Sequence, residues 1–150
     1  MSTRRIMVLG ATGKTGTQIV RQALELGHDV AALVRDPARL AINDPKLKVV
    51  TGDVLDAASV ERGLAGGYDA VISALGVFHR EPRTELSRGT ANVIRAMQQH
   101  GIRRLVVVSS LGAGDSKGQG SLLARILQSF LLKHVLADKD RQEEAIKASG

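Results

Sequence analysis

The sequence predicts an α/β fold built on a doubly wound parallel sheet of five strands, and three observations carry that prediction. Short apolar runs alternate with stretches of helical periodicity, the β-α repetition of one wound layer rather than of separate α and β domains. The apolar runs do not alternate with polar residues; Leu105–Val108 is almost purely β-branched, as suits strands covered on both faces. The first strand-to-helix junction carries three glycines at G-x-x-G-x-x-G spacing.

The elements follow in order along the chain. Arg5–Leu9 is the first strand and ends at Gly10. Lys14–Leu26 sets Ile19, Val20, Ala23, Leu24 and Leu26 at helical spacing and closes on Gly27 in a C-cap position. Asp29–Val34 is the second strand, and Asp36-Pro37 reads as an N-cap with proline at the first helical position. Leu47–Val50 is the third strand, Asp56–Leu64 a short helix closed by Gly66-Gly67, and Ala70–Ala74 the fourth strand. A helix over Thr84–His100 turns Leu86, Ala91, Val93, Ile94 and Met97 toward the core and stops at Gly101. After the fifth strand, Gly112–Gly120 is a glycine-rich stretch, and Leu122–Ala148 reads as one long or bent helix. Its Leu122, Leu123, Ile126, Leu127, Phe130, Leu131 and Leu132 form a core face, a substrate mouth or a subunit contact; a core face is the leading expectation, although Leu122-Leu123 and Leu131-Leu132 are broad for one stripe.

Composition narrows the function classes. At 150 residues the chain has the length of one domain, 1–150, and can bury a core without covalent staples. Zero Cys excludes a disulfide framework and any Cys-ligated metal centre, and no His pair has metal-ligand spacing with a carboxylate, so no metal is expected. The net charge of +6 attracts polyanions, but the cations are dispersed in short pairs such as Arg4-Arg5 and Arg103-Arg104 at strand entrances. With Tyr68, Phe78 and Phe130 the only aromatics, a base-stacking platform is excluded, and no nucleic-acid partner is expected. Ile6–Leu9 is too short for a signal peptide, and Arg125, Gln128 and Lys133 interrupt Ser121–Ala137, the longest greasy stretch. The expectation is a cytoplasmic protein with no membrane partner; the oligomeric state stays open.

The chemistry concentrates in Gly10-Ala11-Thr12-Gly13-Lys14-Thr15-Gly16. Glycines allow a tight turn and close backbone approach, and the free N–H groups of the following helix receive a pyrophosphate. Thr12, Lys14 and Thr15 add hydroxyl donors and a cation. Gly13-Lys14-Thr15 imitates the end of a triphosphate-binding P-loop, but that motif needs glycine where this chain has Val8, inside the strand. The second strand ends beside Arg35-Asp36, roughly 20 residues along, where a dinucleotide's adenosine ribose is read. A carboxylate there favours a free 2′-hydroxyl and an arginine favours a 2′-phosphate. Asp36 reads as the helix cap, so Arg35, with Arg39 one turn on, favours NADP over NAD.

These residues, followed by Gly52-Asp53-Val54, Ser73-Ala74-Leu75-Gly76 and Val108-Ser109-Ser110, resemble in order the atypical short-chain dehydrogenases. More narrowly, the chain resembles the small NAD(P)H-binding proteins related to flavin/biliverdin reductase B and to NmrA-like regulators. The resemblance covers the whole chain and implies a Rossmann-like fold. It implies that Asp53 and Val54 flank the adenine, unless Asp53 simply caps the turn after the third strand. Ala74, Leu75 and Gly76 would line the middle of the cofactor, with Leu86 nearby. Ser109 and Ser110 would face the nicotinamide side, Ser110 donating to substrate; His79 lies in the loop after strand four. Relatives in this family continue past Ala148-Ser149-Gly150 into a sixth strand and substrate-side loops. The chain is therefore expected to hold the dinucleotide half of the family fold without its C-terminal part.

One departure limits the chemistry. Short-chain dehydrogenases commonly use a Tyr four residues before a Lys as proton donor; with Lys139 on that Lys, the Tyr position holds Val135. Lys139 would hold the ribose or act electrostatically, or else be a surface lysine. Hydride transfer from NADPH to a planar acceptor such as a flavin, quinone or tetrapyrrole needs no phenolic acid, because solvent can deliver the proton. That reductase is the leading expectation. A non-catalytic, NmrA-like protein that senses the nicotinamide pool is the alternative, and a sugar-nucleotide epimerase relative is weakened by the missing Tyr.

Overall fold

The computed structural model describes residues 2–76, 84–108 and 133–150, with side chains from 138 onward in the last of these segments. Among them the chain runs β1 (Arg5–Leu9), α1 (Lys14–Glu25), β2 (Asp29–Val34), a 3-10 turn (Pro37–Arg39), β3 (Leu47–Thr51), α2 (Ala57–Leu64), β4 (Ala70–Ser73), α3 (Glu85–Gln99), β5 (Leu105–Val107) and α4 (Lys133–Ala148). The strands form one sheet in the order β3-β2-β1-β4-β5. Each pairing is parallel, with Leu9 level with Leu33 on one side and with Ser73 on the other.

The unalternating apolar runs have a direct cause in this topology. Successive strand side chains point to opposite faces, and both faces of β1 are covered. Met7 and Leu9 enter a core with Leu33, Val60, Leu64, Val71, Val93 and Met97, under α2 and α3. Ile6 and Val8 enter a second core with Val20, Ala23, Val30, Ala32 and Val34, under α1. Met7, Val8 and Leu9 are fully buried, each side chain contributing about 1.5–3 kcal/mol of hydrophobic stabilisation.

Toward the sheet edges the expected double coverage gives way. Val49 on β3 is 41% exposed, and Val106 and Val108 at β5 are 45% and 38% exposed among the described residues. Two helix assignments also shift. Leu26 is 57% exposed because the chain leaves the helical track there, as the C-cap of α1. Ala91 is exposed, and the inner stripe of α3 runs Leu86, Gly89, Thr90, Val93, Ala96 and Met97, spaced at three and four residues. The helix expected after Asp36 is a single 3-10 turn, with Asp36 accepting from the Ala38 amide at 3.1 Å. Of the long C-terminal helix, Lys133–Ala148 is described; the apolar face from Leu122 to Leu132 and the Gly112–Gly120 stretch lie outside the described residues.

The order of strands fixes where a ligand can sit. From β1 the chain moves outward through β2 to β3, then returns to the other side of β1 with β4 and β5. The carboxyl ends of β1 and β4 therefore flank the point where the winding reverses, the place where open α/β sheets open a crevice.

Candidate functional site

The crevice is built by the Gly10–Gly16 loop. Gly10 has φ +73°, and a Cβ there would stand 2.5 Å from the Ala74 carbonyl oxygen and 2.9 Å from the Leu75 nitrogen. The loop thus lies directly on the tip of β4. A Cβ on Gly16 would overlap the Gly10 carbonyl oxygen and stand 2.7 Å from its carbon, so α1 can start this close to β1 only with glycine. The Gly13 amide donates to the Gly10 carbonyl at 3.1 Å, and Thr17 Oγ1 donates to the Ala11 carbonyl at 2.9 Å, locking the turn. Gly13 is the N-cap of α1, extended at φ −78° and ψ 167°, and among the described residues no side chain caps the helix. Its first-turn amides are left to an external acceptor, with Lys14 and Thr15 exposed and Thr12 half-buried beside them.

Arg35 and Arg39 are both exposed beyond the end of β2. Asp36 is committed to its cap on the 3-10 turn, as the sequence suggested. Asp53, past the end of β3, also spends one carboxylate oxygen locally: Oδ1 accepts from the Leu55 amide at 2.9 Å, while its own amide donates to Ser59 Oγ at 2.9 Å. The turn-capping role of Asp53 is therefore real, whatever else the side chain does. Val54 beside it is pinned by α3: Asn92 Nδ2 donates to the Val54 carbonyl at 2.8 Å. At Gly89 the helix comes so near that a Cβ would be 2.8 Å from Val54 Cγ2.

Ala74 and Leu75 are half-buried and Gly76 exposed at the tip of β4. Leu86 lies in the first turn of α3 and is 2% exposed. Lys139 is not a surface lysine. It is 6% exposed, and its Nζ donates to the Val108 carbonyl at 3.4 Å, just past β5. Burial pushes its pKa below the usual lysine value, with the carboxylates of Glu143 and Asp138 pulling it partly back. Ser109, Ser110 and His79 lie outside the described residues, as do the side chains of His134 and Val135.

Sequence reasoning gave no role to several buried polar residues, among them Asp138, Gln142 and Ser73. Asp138 and Gln142 join Lys139 on the inward stripe of α4, where apolar residues would be expected. Gln142 Nε2 donates to Thr90 Oγ1 at 2.8 Å, tying α4 to α3. Ser73, at the last position of β4, is 3% exposed and its Oγ has no hydrogen-bond partner among the described residues. No local signal marks Asp138 and Gln142, because their partners lie on α3, far away in sequence. Among the described residues no group of His, Asp and Glu gathers to hold a metal ion. Two surface cavities, of about 220 and 520 Å³, open at the other end of the sheet. One lies around Arg5, Lys46 and Tyr68, the other around Met97, Arg103 and Ile146. Both are at strand amino ends, away from the glycine loop.

Residues 10–150 match the model of a family described as NAD(P)H-binding. An uncharacterized chloroplastic protein of Arabidopsis thaliana is 34% identical over 100% of this chain and 56% of its own length. Cinnamoyl-CoA reductase 1 of rice is 34% identical over 72% of this chain and 35% of its own length. Among solved structures, ChuY, an anaerobilin reductase of Escherichia coli O157:H7, superposes with a TM-score of 0.77 at 24% identity, over 95% of this chain and 66% of that one. The chain thus spans about half or less of the length of these curated relatives. No helix of the described residues is long and apolar enough to cross a membrane.

Proposed function

The chain belongs to the NAD(P)H-binding family of atypical short-chain dehydrogenases, and on that footing we propose that it binds NADPH at the carboxyl edge of the sheet for reduction of a planar acceptor. The observation that carries the reading is the glycine loop, pressed onto the tip of β4 with the N-terminus of α1 uncapped by any side chain of the described residues. That geometry fits a diphosphate. Backbone can approach because Gly10 and Gly16 have no Cβ to intervene, and the first-turn amides with Lys14 supply donors and positive charge.

Each residue then has a stated task. Gly10, Thr12, Gly13, Lys14, Thr15 and Gly16 hold the pyrophosphate. Arg35, with Arg39 behind it, meets the 2′-phosphate, because the neighbouring Asp36 is occupied as a cap. Asp53 and Val54 border the adenine, and Ala74, Leu75 and Gly76 border the middle of the dinucleotide. Lys139 faces the ribose of the nicotinamide half, and Ser109 and Ser110 are assigned to the nicotinamide side, Ser110 as donor to the acceptor. The dihydronicotinamide, when bound, supplies a hydride, that is, two electrons and one proton. Val135 stands where a phenolic acid would be needed for a carbonyl, so the acceptor is of the flavin, quinone or tetrapyrrole kind, whose second proton comes from solvent.

The same Val135 favours a second reading, a non-catalytic NAD(P) sensor of the NmrA-like kind. Titration of NADPH and NADH by nicotinamide fluorescence, followed by NADPH oxidation with FMN and with a quinone, separates the two. Binding with turnover supports the reductase, and binding with no oxidation above background supports the sensor. Arg35→Ala is expected to weaken NADPH about tenfold more than NADH, a difference of about 1.4 kcal/mol. Equal losses for both cofactors remove Arg35 from the 2′-phosphate.

A further inference from the structure

The N-cap residue of α3, Thr84, makes no side-chain cap bond, and the missing acceptors come from α4. The Leu86 amide donates to Asp138 Oδ2 at 2.8 Å. The Ser87 amide and hydroxyl donate to Asp138 Oδ1 at 3.3 and 2.5 Å. Arg141 Nη2 stands 3.5 Å from the same oxygen, and the Asp138 side chain is 2% exposed. A carboxylate this deep is costly unless it is paired. Here helix donors, the positive end of a helix dipole and a guanidinium all answer it.

Ordinary caps are local. Asp36 and Asp56 each cap the amide two residues on, whereas Asp138 reaches back 52 residues to Leu86. Lys139, the next residue and about 100° further round the helix, donates to the Val108 carbonyl. Two adjacent side chains thus fasten α4 to the first turn of α3 and to the tip of β5. Helix α3 is in turn fastened to Val54 through Asn92 and Gly89.

We propose that Asp138 is a positioning residue for the dinucleotide site: by holding the start of α3 it sets where Lys139 stands over the tip of β5. The proposal rests on the reading of Lys139 as a cofactor residue given above. A link of this kind makes the two residues act as a unit, so their effects on cofactor affinity do not add.

The test is a double-mutant cycle in NADPH dissociation constant, with wild type, Asp138→Asn, Lys139→Met and the double variant, and with Gln142→Leu as the structural control. Asp138→Asn keeps the size and one acceptor oxygen, and its thermal midpoint checks that the variant is folded before affinity is compared. Each single variant is expected to weaken NADPH about tenfold, and the double variant no more than about threefold beyond the weaker single. Gln142→Leu removes a different α3–α4 tie and is expected to lower the thermal midpoint while leaving NADPH affinity within about twofold. Without cofactor, Asp138→Asn is expected to speed hydrogen exchange at the Leu86 and Ser87 amides. Multiplying losses in the double variant overturn the proposal, as does a Gln142→Leu variant that loses as much affinity as Asp138→Asn. An unchanged affinity in Lys139→Met overturns it together with the cofactor role of Lys139. A wild type that binds no NADPH is a different failure, that of the dinucleotide reading itself, and it is seen before any variant is made.

Discussion

Two helices begin at the same edge of the sheet and meet opposite fates. α1 follows β1 and α3 follows β4, neighbouring strands at the point where the winding reverses. Each presents unsatisfied amides and the positive end of a helix dipole. At α1 the cap is a glycine with no side chain, flanked by exposed Lys14 and Thr15. At α3 the same demand is met from inside, by the buried carboxylate of Asp138. The contrast teaches how the fold chooses between two equivalent anion sites. An incoming phosphate about 4 Å from Asp138 would meet a repulsion of order 4 kcal/mol at an effective dielectric of 20, whereas the first turn of α1 holds no acidic residue. By filling one helix end with its own anion, the chain leaves the other for an external one.

The most severe way to break this contrast is to spoil the approach at α1. Gly16→Ala puts a Cβ onto the Gly10 carbonyl, and the atoms in the way are backbone, not a side chain that can swing aside. A destabilisation of about 2–4 kcal/mol is expected in urea unfolding. NADPH affinity should fall by about a hundredfold or more, because the loop must open where the diphosphate needs it closed. Affinity retained within about threefold would mean that the diphosphate is held elsewhere.

A sharper test makes the two helices alike. Gly13 is extended, and a Cβ there would meet only the Gly10 oxygen at 3.4 Å, so Gly13→Asp is sterically allowed. A carboxylate at this N-cap is expected to stabilise the free protein by a few tenths of a kcal/mol, up to about 1 with the dipole. It would do for α1 what Asp138 does for α3, and NADPH affinity should drop about ten- to thirtyfold. Stability and binding moving in opposite directions is the diagnostic result. If both rise, or both fall, the start of α1 is not the anion site.

The difference between the two helix ends also marks how far the sequence could be read. The strands, their parallel arrangement and the glycine loop were legible because each is encoded locally: apolar runs, a three-residue spacing, Asp36-Pro37 as a cap. Asp36 was legible as a cap by the same local logic, and the Ala38 amide bears that out. Asp138 was not, because its partners are 51 and 52 residues away and nothing in the order of residues announces that pairing. Lys139 was legible as a position by resemblance, yet its burial and its bond to Val108 were not. Leu86 was expected near the cofactor by resemblance; its side chain is buried, and its backbone amide donates to Asp138, a bond that local sequence does not show. The exposed faces of Val106 and Val108 were missed because a β-branched run looks the same in a central strand and at an edge.

The smallest expected effect lies on the α4 side of the comparison and is visible only in its pH dependence. Lys139 is buried, and burial holds its pKa below the usual lysine value, against the opposing pull of Glu143 and Asp138. Between the folded and the unfolded pKa, the unfolded chain binds more protons than the native one, so stability rises with pH across that window. The upper limit of the window is the ordinary lysine pKa, near 10.4. Below its lower limit the native state bears the whole cost of the buried ammonium; the Val108 carbonyl and nearby carboxylates offset part of it. Lys139→Met should therefore remove the alkaline rise in urea midpoints and, at neutral pH, leave stability unchanged or higher by less than about 1 kcal/mol. A variant with the same alkaline slope as wild type would show that the group carries no such cost. A variant that gains stability while losing NADPH affinity would show that the ammonium is kept in the core for the ligand and not for the fold.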